Sequence, residues 1–175
     1  MNWNAGLFFK INALVGKHRW LDAFGRYGAE WAIVAMVGWY SSSVFIERWP
    51  NRFAAMSFLS WTFGVWVVGW LIDMGIGYLA REPRPHITYP ASKILFVPIQ
   101  SWKSFPSDHA MSAWLMVFLA MLARVPGLEV LLLLALWVSW GRVYAGAHYP
   151  GDVAGGVLMA GVIATASHFV LARFF

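Results

Sequence analysis

Cysteine is absent from this 175-residue chain, so neither disulfides nor thiolate metal sites are available to it. Charge is scarce as well. Only 12% of residues are charged and 60% are hydrophobic, against about 25% and about 45–50% in a soluble domain. That composition excludes a water-exposed globule. The 13 basic and 8 acidic residues leave a net charge of +5. The basic ones are scattered, with no polar domain to carry them, which removes nucleic acid as a partner. Contact with anionic membrane lipids or a phosphorylated substrate suits the balance. Repeats and low-complexity tracts are also missing.

What is present is long charge-free runs: Trp31–Ile46, Phe53–Ile72, His109–Ala123, Val130–Gly141 and Val153–Ala172. Roughly 20 apolar residues span a bilayer, a length some runs reach alone and others with interfacial flanks. The fold class expected is an all-α integral membrane protein. A bundle of about five transmembrane helices forms one domain over residues 1–175. Trp20, Trp31, Trp49, Trp102 and Trp140 fall near span ends, as an aromatic belt does. In Met1–Arg19 the residues Leu7, Phe8, Ile11, Leu14 and Val15 recur at helical spacing between Asn4, Lys10, Asn12 and Lys17. That pattern predicts an N-terminal helix lying in the interface. Lys10 and Asn12 break any signal-peptide core.

In chain order the spans are roughly Ala29–Ile46, Phe53–Ala80, Asp108–Ala123, Leu128–Ala147 and Pro150–Phe175. The one long loop, Arg81–Ser107, is polar and carries prolines, and long loops in compact domains are commonly functional. Where it ends, Phe105-Pro106-Ser107-Asp108-His109 reads as a helix start capped by Ser107 or Asp108. A helix start offers free N–H groups and a positive dipole end to a phosphate, with His109 one residue inside. Counting crossings places Arg84, His109, Arg142, His148 and Asp152 at one membrane face.

Arg142, near the end of an apolar helix, is either a snorkelling interfacial residue or a paired one. Asp152 can orient His148 and stabilise its charged ring. Two histidines could also belong to a metal site, but a third ligand is not obvious. Two arginines at a helix start fit an oxyanion better, because guanidinium binds phosphate oxygens bidentately.

Arg84-Pro85, Pro106-Ser107-Asp108-His109 and the Arg142, His148, Asp152 spacing resemble the three motifs of the type 2 phosphatidic acid phosphatase superfamily. Glu82–Pro85, Phe105–His109, Gly146–Val153, Phe9–Asn12 and Leu21-Asp22 resemble more narrowly the bacitracin-resistance type of bacterial undecaprenyl-diphosphatase. The resemblance implies a metal-independent, cofactor-free phosphatase of a bacterial inner membrane, acting on a polyprenyl diphosphate lipid. It implies His148 as nucleophile, Asp152 as its orienting group and His109 as acid and base. Arg84, Arg142, Ser107, Asp108 and nearby amides would hold the phosphate. Phosphatidate or phosphatidylglycerophosphate is the alternative substrate, and a non-catalytic phospholipid-binding protein the alternative of another class.

Three positions depart from the superfamily pattern. Gly77 stands where a lysine is usual, Gly141 where a serine is usual, and Asp108 where a glycine is common, although the narrower branch resembles this chain at Asp108. On a continuous helix Asp73, Gly77, Arg81 and Arg84 share one face. Arg81 is therefore expected to replace the missing lysine, and Asp73 to orient a site arginine. Orientation pulls two ways. Lys10, Lys17, Arg19, Arg26, Arg81, Lys93 and Lys103 lie on the site's face against Arg48, Arg52, Arg124 and Arg173, which favours a cytoplasmic site. The resemblance implies the outer face and is followed. Nothing in the sequence sets an oligomeric state.

Overall fold

The computed structural model describes residues 3–98 and 100–174, with side chains described up to residue 170. Met1, Asn2, Ile99, Phe175 and the Arg173 side chain lie outside that description. Eight helices follow in order: α1 Trp3–Asn12, α2 Arg19–Glu30, α3 Ala32–Glu47, α4 Arg52–Ala80, α5 Pro85–Thr88, α6 Asp108–Leu122, α7 Leu128–Tyr144 and α8 Pro150–Phe174. No strand occurs among the described residues. The helices α3, α4, α6, α7 and α8 correspond to the five expected spans. Arg52–Thr88 and Pro150–Val170 are each long and apolar enough to cross a membrane. The pair α2 and α3 reaches that length as one unit bent by 53°. Helix α6 is shorter and survives at that length because it is sheathed by the others.

Helix α6 is the axis of the bundle. Ala110, Met111, Ala113, Leu115, Val117, Leu119 and Ala120 are buried on nearly all its sides, as a helix apolar all round must be. Val117 and Ala120 pack with Met36, Tyr40, Val44, Leu131 and Ala135 from α3 and α7. Met111, Leu115 and Leu119 pack with Ala160, Ile163 and Ala164 from α8. The outside of the bundle is itself apolar: Val34, Phe53, Phe63, Leu71, Leu133, Leu136, Leu158 and Val162 are exposed. Exposed apolar walls around buried small residues are the inverse of a soluble bundle, because hydrocarbon solvates the surface.

Helix α1 does more than lie at a surface. Phe8 is fully buried against Ala110, Val143, Tyr149 and Val153. Two of the polar residues that interrupt its periodicity, Asn4 and Asn12, turn out to be anchors. Asn4 accepts from the Gly151 N–H at 2.8 Å. Asn12 donates to the Lys93 and Tyr144 carbonyls at 2.8 and 3.1 Å and accepts from the Lys93 N–H at 2.8 Å. So α1 braces the long loop, the end of α7 and the start of α8. Helix α2, which lacked a distinct sequence signal, packs through Gly25 and Gly28 against Tyr144 and Trp137 of α7.

Candidate active site

Helix α4 stops because Arg81 takes a left-handed conformation, φ 48°, just before Pro83, whose predecessor disfavours helix. Arg84 then caps α5 in an extended conformation and turns a side chain that is only 2% exposed into the bundle. At the far end of α7, Gly146 has φ +80°, which favours glycine. The chain turns back there, so that the Ala147 and His148 N–H groups both donate to the Arg142 carbonyl, at 3.1 and 3.2 Å. That reversal brings the His148 ring beside the side chain of Arg142. Asp152 lies in the first turn of α8 and accepts from the Tyr149 N–H at 2.8 Å, the acid half of a capping box.

The buried His148 is held from both sides. Its Nδ1 lies 2.8 Å from the Ser104 carbonyl. Its Nε2 lies 3.0 Å from Arg84 Nη1 and 3.2 Å from Arg142 Nη2. A carbonyl can only accept and a guanidinium can only donate. Nδ1 therefore carries the proton, and the Nε2 lone pair faces two guanidinium groups. Burial, then the Arg142 and Arg84 charges, push the His148 pKa well below its ordinary 6.5. The ring is neutral, with a free electron pair at Nε2.

Each arginine is fixed by further bonds. Arg84 donates through Nε to the Gln100 carbonyl at 2.7 Å and through Nη1 to the Ala147 carbonyl at 2.8 Å. Arg142 donates through Nη1 to the Ala29 carbonyl at 3.1 Å, while its buried Nε makes no hydrogen bond. An open donor on a buried guanidinium is what an arriving oxyanion would take up.

Ser107 caps α6 by accepting from Ala110 N at 3.5 Å. Its own N–H donates to the Asp152 carbonyl at 3.1 Å, tying the α6 start to the α8 start. Asp108 Oδ1 accepts from the His109 N–H at 3.1 Å and stands 3.4 Å from His109 Nδ1. Both line one end of a cavity of about 520 Å³ between α3, α4 and α6. The cavity is walled by Val37, Leu59, Phe63, Trp66, Trp70 and Leu115, among others.

Two expectations need correction. Arg81 does not join the site: its side chain is exposed, donates to the Tyr78 carbonyl at 3.2 Å and lies over the Tyr78 ring. The reversed φ at Arg81 breaks the continuous helix on which its placement rested. Asp73 orients no arginine; its Oδ2 is paired with Lys103 of the long loop. Asp152 Oδ2 stands 3.5 Å from His148 Nδ1. The Ser104 carbonyl is nearer, and Asp152 takes the Ser104 hydroxyl at 2.5 Å.

Lys103 and Ser104 are the residues sequence reasoning missed. The signal for Lys103 was the need of Asp73 for a cationic partner at membrane depth. Ser104 acts through its carbonyl, which no residue type advertises. Both glycine departures are explained by space. A side chain at Gly77 would run into the stem of Lys103, and one at Gly141 would meet the Ala29 N at 2.6 Å and the Gly28 carbonyl carbon at 2.8 Å.

The PAP2 superfamily profile matches residues 57–174. The chain is 28% identical over 173 residues to the putative undecaprenyl-diphosphatase YbjG of Escherichia coli K12, covering 93% of this chain and 79% of that protein. It is 33% identical over 98 residues to the undecaprenyl-diphosphatase BcrC of Bacillus subtilis, covering 55% of this chain and 49% of that one. Its fold is similar to a transmembrane PAP2-type phosphatidylglycerolphosphate phosphatase of Bacillus subtilis, with a TM-score of 0.69, 18% identity and coverage of 100% and 89%. With three motifs meeting at one buried histidine and a profile match over most of its length, the chain belongs to the PAP2 superfamily and is a membrane lipid phosphatase.

Proposed function

We propose that this protein hydrolyses the terminal phosphate of a membrane isoprenoid diphosphate, converting undecaprenyl diphosphate to undecaprenyl phosphate through a phosphohistidine at His148. The observation that carries the reading is the neutral Nε2 facing Arg84 and Arg142. A terminal phosphate placed between those guanidinium groups takes their N–H bonds and leaves the Nε2 lone pair in line with phosphorus. Nε2 attacks, the bond from phosphorus to the bridging oxygen breaks, and His109 gives that oxygen a proton. Water then attacks the phosphohistidine, His109 takes its proton, and inorganic phosphate leaves. The charge that develops on the transferred oxygens meets fixed arginines and the positive end of α6, which starts at Asp108.

The cavity ending at Asp108 and His109 supports a lipid substrate, since its walls are mostly apolar. A single prenyl chain laid there puts its head group beside the acid. The names of the two relatives support the diphosphate of an isoprenoid. The site's role in recycling a cell-wall lipid carrier requires residues 1–175 to work as one domain in a bacterial inner membrane, with the site on the outer face. A reporter fused after Phe175 then reads as cytoplasmic.

The test is phosphate release by purified protein from undecaprenyl diphosphate and from phosphatidate in one detergent, with and without chelator. The expected result is a higher kcat/KM for the diphosphate, indifference to chelator, and a trapped phosphoprotein that His148→Ala abolishes. Preference for phosphatidate, or activity surviving His148→Ala, overturns the reading.

A further inference from the structure

Lys103 is a cation with no access to water. Its side chain and that of Asp73 are both 0% exposed, and its Nζ is paired with Asp73 Oδ2 and directed at the Pro106 carbonyl at 3.5 Å. The stem of the lysine runs through the volume that a side chain at position 77 would fill. A side chain at position 77 would have to displace that stem, so glycine there leaves the loop room to reach α4. A buried ion pair is weak evidence for stability, because desolvating two charges offsets most of their attraction. Its consequence for geometry is larger, since two charges without water hold one separation.

The next residue along the chain is Ser104, and every polar group of Ser104 is engaged at the site. Its N–H donates to the Glu82 carbonyl at 2.7 Å, two residues from Arg84. Its carbonyl takes the His148 Nδ1–H at 2.8 Å and its hydroxyl donates to Asp152 at 2.5 Å. Lys103 sits one residue before this junction and Pro106, which it also meets, one residue before the Ser107 cap.

We propose that Lys103 is a positioning residue: its pair with Asp73 clamps the 103–107 strap onto α4, so that the Ser104 carbonyl holds His148 as the Nδ1–H tautomer with Nε2 free. The inference rests on His148 being the nucleophile, as proposed above. Losing the clamp lets the carbonyl drift, and the ring loses the acceptor that holds its Nε2 against the donors of Arg84 and Arg142. Once the ring turns from those donors, its proton can move to Nε2 and occupy the lone pair needed for attack. Substrate binding, carried by Arg84 and Arg142, changes little.

The experiment uses full-length protein in lipid nanodiscs, with the His148 tautomer read by ¹⁵N NMR and phosphate release measured on undecaprenyl diphosphate. The His148 resonances are identified by their loss in His148→Asn. Lys103→Met is compared with wild type and with Lys103→Met/Asp73→Leu. The double variant leaves no unpaired carboxylate in the bundle and so keeps a folded control where the single variant does not fold. The expected result, in whichever variants fold, is a kcat lowered at least about tenfold with KM within about threefold, and His148 shifted from pure Nδ1–H to a mixture. A double variant with kcat within about twofold of wild type, or with low kcat and an unchanged tautomer, overturns the proposal. The tautomer readout needs no substrate. A wild type that releases no phosphate therefore sinks the proposed function, while a tautomer that responds to Lys103→Met still supports the clamp.

Discussion

The Ser104 hydroxyl donates to Asp152 Oδ2 at 2.5 Å, and this bond joins the long loop to the first turn of α8. Because the same carboxylate oxygen also takes the Tyr149 N–H, Asp152 holds the backbone on which His148 sits as well as the residue whose carbonyl orients its ring. Its influence on the imidazole is thus mostly exerted through neighbours.

Two substitutions separate those routes. Asp152→Asn removes the charge and weakens both bonds, and it should lower kcat by about 100-fold, in the range of positioned acid–base groups. Ser104→Ala deletes only the hydroxyl, leaves the carbonyl at Nδ1 and should cost less than about tenfold. Steady-state phosphate release for both variants checks the order. Equal losses would mean that the hydroxyl, rather than the carbonyl, sets the ring.

His109 is assigned to protonate the leaving oxygen. His109→Ala should reduce kcat on a prenyl diphosphate by about 10²–10⁴-fold, the usual contribution of a general acid. With p-nitrophenyl phosphate, whose leaving group departs without a proton, formation of the phosphoenzyme should fall far less. Rapid-quench comparison of the two substrates measures the difference, and an equal loss on both would remove His109 from the leaving-group step.

The depressed pKa of His148 has a consequence for stability. Below its ordinary 6.5 the unfolded chain binds a proton at this ring that the folded protein does not. The unfolded state then gains free energy as pH falls, so His148 contributes a loss of stability from about pH 6.5 downward. Thermal unfolding in detergent between pH 7.5 and 5 should show Tm dropping, with a shallower slope in His148→Gln. An unchanged slope would place the proton on the folded ring. The same shift keeps Nε2 unprotonated, so the acid limb of kcat/KM due to this residue should lie below pH 6.5.

Gly141 lies against the junction of α2 and α3, where an added Cβ meets backbone atoms of Ala29 and Gly28. Gly141→Ser should therefore destabilise by about 1–3 kcal/mol, as overpacking does. Arg142, bonded to the Ala29 carbonyl, should shift with it. Loss of Tm together with a raised KM is the expected pattern. A variant that keeps its Tm and gains activity would show that the junction yields and that a hydroxyl here helps to bind phosphate.

The sequence by itself determined the bundle, because apolar runs without charge leave the backbone no stable option in lipid but helix, and tryptophan and proline mark where helices stop. It also determined that Arg84, His109, Arg142, His148 and Asp152 gather at one end, since crossing parity follows from the order of spans. What only tertiary structure decided are contacts made by backbone groups and by a loop. The Ser104 carbonyl carries no signature in the identity of its residue. Arg81 could be placed in the site only by extending α4 through a residue that in fact reverses its φ. Lys103 reaches Asp73 across 30 positions of chain, and the long loop has no periodicity from which such a return can be read. Asn4 and Asn12 looked like breaks in an interfacial stripe for the same reason: their partners, Gly151, Lys93 and Tyr144, are more than 80 residues away, and only the folded bundle brings them together.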